Sequence, residues 1–315
     1  MENMGRLNIL VTGGAGFIGS NLIERLIQQN HNVIMIKRKS TNLFRLKSVI
    51  DKIKIYESDI SDINSLSKIF EKNKIDMVYH LATFYKSSHI VDDINPMINT
   101  NILGLINLLE LCKKYSVKKI INTGTCFEYK FNKNLLNEED DLSPWNLYAL
   151  TKITSENIID YYSKENGIRA VTLRLFPPYG PKDNINKLIP YIIIKALKNE
   201  KIEITKGEQR WDYIFVDDII DAYLKLLTYM PNGHEIYNVG TGTTKSIKNI
   251  IETISAILNK KLNVEYGAKE YRKNEIFYMK ADITKIKNTL GWFPKTNLYD
   301  GLTKTLNYYR EETNL

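Results

Sequence analysis

The chain has 315 residues, 43% hydrophobic and 25% charged, with a formal net charge of +8. That length and make-up suit an ordinary globular protein built as one large α/β unit or two domains sharing a cleft. Two cysteines, Cys112 and Cys126, cannot form a disulfide framework, four histidines show no metal-ligand spacing, and no apolar run is long enough to span a bilayer.

The cysteine usage and the lack of a charged and apolar leader pattern together predict a cytoplasmic protein with no membrane partner. The lysines are scattered along the chain, mixed with Ile and Asn. That distribution argues against nucleic acid and fits a solvated surface or an anionic small-molecule ligand.

Taken in chain order, apolar runs rich in Ile and Val alternate with runs at helical spacing. LNILVT, NVIMIK, KIKIYES, DMVYHLA, KKIINTG and AVTLRLF read as strands. FIGSNLIERLIQQN, INSLSKIFEKN, INTNILGLINLLELCKKYS and NLYALTKITSENIIDYYSKEN read as helices. Strand and helix in alternation predict a Rossmann-like, doubly wound parallel sheet covered on both faces. After Phe176 the elements become shorter and mixed, with more Pro and Gly. The expected organisation is a dinucleotide-binding domain over 1–175 and a smaller, mainly substrate-binding region over 176–315, interleaved with the first.

Between the first strand and first helix stands VTGGAGFIGS. Gly14, Gly16 and Gly19 have G-x-G-x-x-G spacing, and Gly13, Gly16 and Gly19 have G-x-x-G-x-x-G spacing. Glycines permit the tight turn and a close backbone approach to a pyrophosphate, which faces the free N–H groups of the helix N-terminus. The plainer function of such a loop is close helix–strand packing. About twenty residues on, where an acid would bind the ribose 2′-OH of NAD, the chain has Lys37, Arg38 and Lys39. Three cations suit the 2′-phosphate of NADP through charge-assisted bonds. NADPH is therefore the expected cofactor, with NAD as the alternative and an exposed basic loop as the plainer reading.

The loop TGGAGFIG closely resembles that of the extended short-chain dehydrogenase/reductase family, in its nucleotide-sugar epimerase and 4-ketoreductase branch. The likeness continues through Asp59-Ile60, HLAT at His80 to Thr83, the N-x-x-G helix through Asn101 and Gly104, and RLFPPYGP at Arg174 to Pro181. WDYIFVDDIIDAY from Trp211 and ADITKIKNTLGWFPKTNLYDGL from Ala281 complete the match over nearly the whole chain. The resemblance implies cofactor contacts from Gly13, Gly16, Phe17, Ile18, Gly19, Asp59, Ile60, Leu81 and Ala82, with Asp59 at the adenine. It also implies a nucleoside-diphosphate sugar as substrate and a homodimer.

The family's catalytic Y-x-x-x-K occurs four times, at Tyr115/Lys119, Tyr129/Lys133, Tyr148/Lys152 and Tyr191/Lys195. Position favours Tyr148 and Lys152, near the start of a long helix after the fifth strand, where i and i+4 share a face. The implied third member is a hydroxyl at the end of that strand, Thr125, four residues before Tyr129. A tyrosine transfers protons at a sugar oxygen, and a nearby ammonium is expected to draw its pKa down from about 10.

Departures from the family sort the reactions. Dehydratases carry Asp-Glu after the Thr; here Cys126 and Phe127 follow. Bifunctional epimerase-reductases resemble YGPHDNFH, ending in a histidine acid; here YGPKDNIN places Asn186 there, and Cys126 lies one position from their cysteine. Two reactions survive: NADPH-dependent reduction of a 4-keto-6-deoxysugar, and NAD-dependent 4-epimerisation. The missing acid at Lys37 and the segment YRKNEIFYMKAD favour the reductase. A non-catalytic NADP-binding sensor or scaffold is a further alternative, opposed by the retained Tyr and Lys. Arg210 and Arg272 match the family's pyrophosphate arginines, although Trp211 separates Arg210 from Asp212 and Pro177 replaces the usual Asn. Either arginine can instead be an ordinary surface residue.

Overall fold

We describe the protein from a computed structural model covering residues 5–131 and 135–313. The first half is a run of alternating strands and helices: β1 (Asn8–Thr12), α1 (Phe17–Gln28), β2 (Asn32–Lys37), β3 (Ile53–Glu57), α2 (Ile63–Lys72) and β4 (Met77–His80). It continues through α3 (Val91–Ile98), α4 (Gly104–Lys114), β5 (Lys119–Thr125), α5 (Leu147–Asn166) and β6 (Arg169–Leu175). A later strand, β7 (His234–Val239), completes a seven-stranded sheet of order β7-β6-β5-β4-β1-β2-β3. The parallel ladders β1–β2, β1–β4, β2–β3, β4–β5 and β5–β6 bring the C-terminal ends of these strands to one edge. The order reverses between β1 and β4, the switch point at which such sheets bind ligands. The fold is the Rossmann-like α/β class expected from the sequence.

The strands read as continuous apolar runs because both faces are covered. Along β1, Leu10 joins a buried cluster with Ile34, Val78 and Ile120 against Leu66, Ile69, Leu105, Leu108 and Ile159. Its neighbours Ile9 and Val11 point to the other face and are also buried, as are Leu22, Ile23 and Leu26 of α1. Capping fixes the helix starts: Asp62 accepts from the N–H groups of Asn64 and Ser65, and Asn146 accepts from Ala149 N–H at 2.8 Å. Helix α5 stops at Gly167, whose φ of 62° suits a residue without a Cβ.

Two features lay beyond the sequence periodicity. The run INTNILGLINLLELCKKYS is not one helix: α3 ends at Ile98, residues Asn99–Leu103 form a π-helical turn, and α4 begins at Gly104. The π turn carries buried Asn101, whose side chain bonds Phe84 N–H, Phe84 C=O and the Thr151 hydroxyl. The seventh strand, His234–Val239, joins the main sheet from far down the chain.

The chain divides into two compact units, each discontinuous in sequence. One comprises 1–130, 139–175 and 220–237, and the other 131–138, 176–219 and 238–315. In the second unit, helices Leu188–Leu197, Ile247–Leu258 and Leu298–Thr313 pack together. Short strands Lys245–Ser246, Arg210–Trp211 and Tyr278–Met279 form a small sheet there.

Candidate active site

The glycine loop sits between β1 and α1. Gly13 has φ +70°, and a Cβ there would lie 2.5 Å from the carbonyl carbon of Leu81 and 2.6 Å from Ala82 N. Only glycine lets this turn lie against the end of β4. At Gly14 a Cβ would strike Ile23 and Met35, so this glycine serves helix–sheet packing. Gly16 is the N-cap of α1, and no side chain caps the helix. Its N–H donates to Gly13 C=O at 3.0 Å, while the first-turn residues Phe17, Ile18 and Gly19 stand at the positive end of the helix dipole. This cradle fits a pyrophosphate.

A cavity of about 540 Å³ lies at the ends of β2 and β3, lined by Arg38, Lys39, Ser40, Glu57, Ser58, Asp59, Asp62 and Ser65. Lys37 is not in its wall. Its register partner is Glu57, and its ammonium bonds Glu57 Oε2 at 3.1 Å. The other carboxylates also have partners: Asp59 accepts from Ser61 N–H and hydroxyl at 2.9 and 2.7 Å, and Asp62 caps α2. Among the described residues no ion pair holds Arg38 or Lys39. The available positive charge at the β2 end is therefore Arg38 and Lys39, with Ser40 beside them. Ile60 is buried and packs under Gly104, where a Cβ would meet it at 2.5 Å.

Thr125, Tyr148 and Lys152 all belong to this same unit. Helix α5 buries a polar stripe of Tyr148, Thr151, Lys152, Ser155 and Glu156, at one-turn spacing, against β5 and β6. Lys152 Nζ donates to the Thr123 carbonyl at 2.8 Å, two residues before Thr125, and lies 5.8 Å from the Tyr148 ring centroid. Tyr85 meets the Tyr148 ring edge-on at 4.8 Å. Thr123 also bonds the Tyr223 hydroxyl at 2.5 Å. Thr125 is buried at the strand end; its hydroxyl accepts from Phe127 N–H and its own N–H donates to Glu128 Oε1 at 2.7 Å.

The electrostatics correct one expectation. Burial pushes the Tyr148 phenol up, and the charge of Glu128 adds to this; Lys152 does not draw it down. Burial instead pulls Lys152 down to about 8, against the opposing charges of Glu128 and Glu156. Desolvation is the largest cause at both groups. The site thus offers a protonated phenol, a titratable ammonium and an oriented hydroxyl.

The other Y-x-x-x-K pairs differ. Tyr115 caps the end of α4 and Lys119 opens β5. Tyr191 bonds Glu203 and Lys195 pairs with Glu200, both on the surface. Lys133 lies outside the described residues. After Thr125, Cys126 is buried and Phe127 stacks on Trp145, so neither supplies an acid.

Arg210 and Arg272 lie in the second unit. Arg210 is exposed and reaches Thr244 C=O at 3.5 Å. Trp211 follows it on the same two-residue strand, so the two side chains point to opposite faces; Trp211 Nε1 donates to Ile276 C=O at 2.6 Å. Arg272 is exposed, with its N–H donating to Glu275. Asn186 N–H bonds the Asn184 side chain, and the Pro177 carbonyl accepts from Ile214 N–H. No described helix is long and apolar enough to cross a membrane, and no described His, Cys, Asp or Glu cluster can hold a metal.

The sheet with its switch point, the glycine cradle and the buried Tyr–Lys pair define a dinucleotide-dependent enzyme class. A model of the NAD dependent epimerase/dehydratase family matches residues 9–240, and the chain belongs to that family. The chain is 31% identical over 311 residues to a putative UDP-glucose 4-epimerase of Methanocaldococcus jannaschii, covering 96% of this chain and 98% of the relative. It is likewise 31% identical over 301 residues to the CDP-abequose synthase of Salmonella muenchen, covering 95% and 96%. Among solved structures, the UDP-glucose 4-epimerase of Thermotoga maritima with UDP-glucose is similar at a TM-score of 0.89 and 30% identity, covering 98% of this chain and all of that one.

Proposed function

We propose that this enzyme reduces the 4-keto group of a nucleotide-linked 4-keto-6-deoxysugar with NADPH. The observation that carries this reading is the cavity at the β2 end, whose carboxylates are engaged while Arg38 and Lys39 have no ion-pair partner among the described residues. A 2′-phosphate would be held there by Arg38, Lys39 and Ser40, with Lys37 restrained by Glu57. Gly13, Gly16 and the first turn of α1 would hold the pyrophosphate, and Asp59, Ile60, Leu81 and Ala82 would flank the cofactor. When bound, the reduced nicotinamide supplies the hydride.

The chain's own residues handle the proton. Thr125 orients the sugar carbonyl oxygen. Tyr148, a phenol kept protonated by burial, donates its proton to that oxygen as C4 accepts the hydride, so the ketone becomes an alcohol; solvent then restores the phenol. Lys152 holds the other end of the site as an ammonium below about pH 8. Arg210 and Arg272 are the candidate pyrophosphate contacts of the nucleotide sugar. A homodimer is the proposed assembly.

One other reading has specific support: relatives of similar identity are named 4-epimerases. Such an enzyme would keep NAD bound and interconvert C4 epimers. Cofactor stoichiometry separates the two. The reductase consumes one NADPH for each product formed, whereas product formed without net NADPH oxidation would refute it.

A further inference from the structure

The segment after β5 carries a buried carboxyl group that the proton chemistry above does not use. Glu128 is fully buried three residues beyond Thr125. Its Oε1 accepts the Thr125 N–H at 2.7 Å and its Oε2 lies 3.4 Å from Arg174 Nε on β6. Arg174, itself 2% exposed, grips Glu156 of α5 through Nε at 3.0 Å and through its terminal nitrogen at 2.6 Å. Glu156 is one turn beyond Lys152 and two beyond Tyr148 on the same helix. The space exists because residue 124 is glycine: a Cβ there would come within 3.1 Å of Glu128 Oε1 and 3.2 Å of Arg174 Cγ. Tyr129 completes the enclosure, with the guanidinium 4.8 Å above its ring.

A buried ion cluster is a poor way to gain stability, because the desolvation of the ions offsets their attraction. This one does something more specific. It joins the backbone of Thr125, through two carboxyl groups and one guanidinium, to the helix that carries the other two members of the trio. We propose that Glu128 is a positioning residue that holds Thr125 in fixed geometry to Tyr148 and Lys152 through the buried Glu128–Arg174–Glu156 bridge. The inference rests on the assignment of that trio to the reaction.

The same carboxyl group is coupled to protonation: burial, then the charge of Glu156, pushes its own pKa well above the usual carboxylate range, and the Arg174 guanidinium opposes the rise. After burial, which lowers the Lys152 pKa, Glu128 is the largest charge opposing the loss of the ammonium, ahead of Glu156. The groups facing the cluster are Arg174 from β6; Tyr148, Lys152 and Glu156 from α5; Cys126 and Tyr129 from its own segment; and His234 from β7, next to Arg174 and Glu156. His80 on β4 faces Lys152.

The test compares Glu128→Met with Glu128→Gln in the full chain. The methionine keeps the volume but loses both acceptor and charge; the glutamine keeps an acceptor for Thr125 N–H without the charge. Both leave the Arg174–Glu156 pair intact. Below pH 7, Glu128→Met is expected to lose up to about 10²-fold in kcat, the scale for a misplaced catalytic group, with KM little changed, and Glu128→Gln to recover most of it. Independently of any substrate, 13Cε NMR of lysine-labelled protein reads the Lys152 titration, assigned with Lys152→Met. Its midpoint is expected to fall in both variants, because Glu128 opposes the loss of the ammonium. Wild-type kcat in Glu128→Met, a loss in Glu128→Gln equal to that in Glu128→Met, or an unmoved Lys152 midpoint would each overturn the proposal. Should the wild type itself turn over no 4-keto sugar, the reaction assigned above fails, and the NMR midpoint still decides the role of Glu128.

Discussion

Gly13→Ala and Gly167→Ala form a matched pair that isolates what the cofactor loop demands of its backbone. Both residues are left-handed, with φ of +70° and +62°. Alanine at either pays the left-handed penalty, about 1–2 kcal/mol. The surroundings differ. Nothing lies within 4 Å of a Cβ at Gly167, whereas at Gly13 the methyl would stand 2.5 Å from Leu81 C, 2.6 Å from Leu81 O and 2.6 Å from Ala82 N. Favourable carbon contacts begin near about 3.5 Å, so the methyl is about 1 Å too deep. The obstacle is backbone, pinned to β1 by the Leu81 N–H bond to Thr12 C=O at 3.1 Å. Relief therefore requires β1 and β4 to part at the switch point. Overpacking of this kind adds roughly 1–3 kcal/mol, so Gly13→Ala should cost about 2–5 kcal/mol against 1–2 for Gly167→Ala. Urea unfolding followed by far-UV circular dichroism reads the difference as a shift in midpoint at constant slope. Dinucleotide titration by fluorescence should show weakened binding only for Gly13→Ala. Equal midpoint shifts in the two variants would refute the steric argument.

Three further outcomes follow from the site. Tyr148→Phe should lose about 10²- to 10⁴-fold in kcat while still binding cofactor, with Tyr115→Phe and Tyr191→Phe near wild type; near-normal turnover in Tyr148→Phe would mean that another group donates the proton. Wild type should bind NADPH more tightly than NADH in calorimetry, and Arg38→Ala with Lys39→Ala should abolish that preference while Lys37→Ala largely keeps it. The Lys152 pKa is lowered to about 8 by burial, so the ammonium is lost as pH rises through that value. The kcat/KM profile should have an alkaline limb near pH 8 that Lys152→Arg removes; a limb left in place in that variant would assign it elsewhere.

The fold was legible because a parallel sheet covered on both faces leaves long apolar runs, and VTGGAGFIGS marks the first βα turn by spacing and context. The run over 98–116 reads as one continuous helix because a π turn inserts its extra residue without interrupting the apolar pattern; Asn101, polar within that pattern, is the visible hint. The place of His234–Val239 in the main sheet is not legible in the sequence, because sheet membership is decided by pairing, which sequence distance hides. In the site, Thr125, Tyr148 and Lys152 could be chosen by spacing and order, but not their environment. The rise of the Tyr148 pKa depends on burial, the restraint of Lys37 on its register with Glu57, and the Glu128–Arg174–Glu156 bridge on three distant segments meeting. None of these has a local pattern.

The most direct test of the proposed reaction follows the hydrogen at C4. Purified protein is given a nucleotide-linked 4-keto-6-deoxysugar and NADPH deuterated at the nicotinamide C4, in separate assays with each of the two labelled faces. The product is characterised by NMR. The account predicts a single C4 alcohol carrying deuterium from one cofactor face only, with one oxidised cofactor per product and no reaction in its absence. Equilibration of two C4-epimeric nucleotide sugars by protein without added NADPH, with no deuterium gained from labelled cofactor, would contradict it.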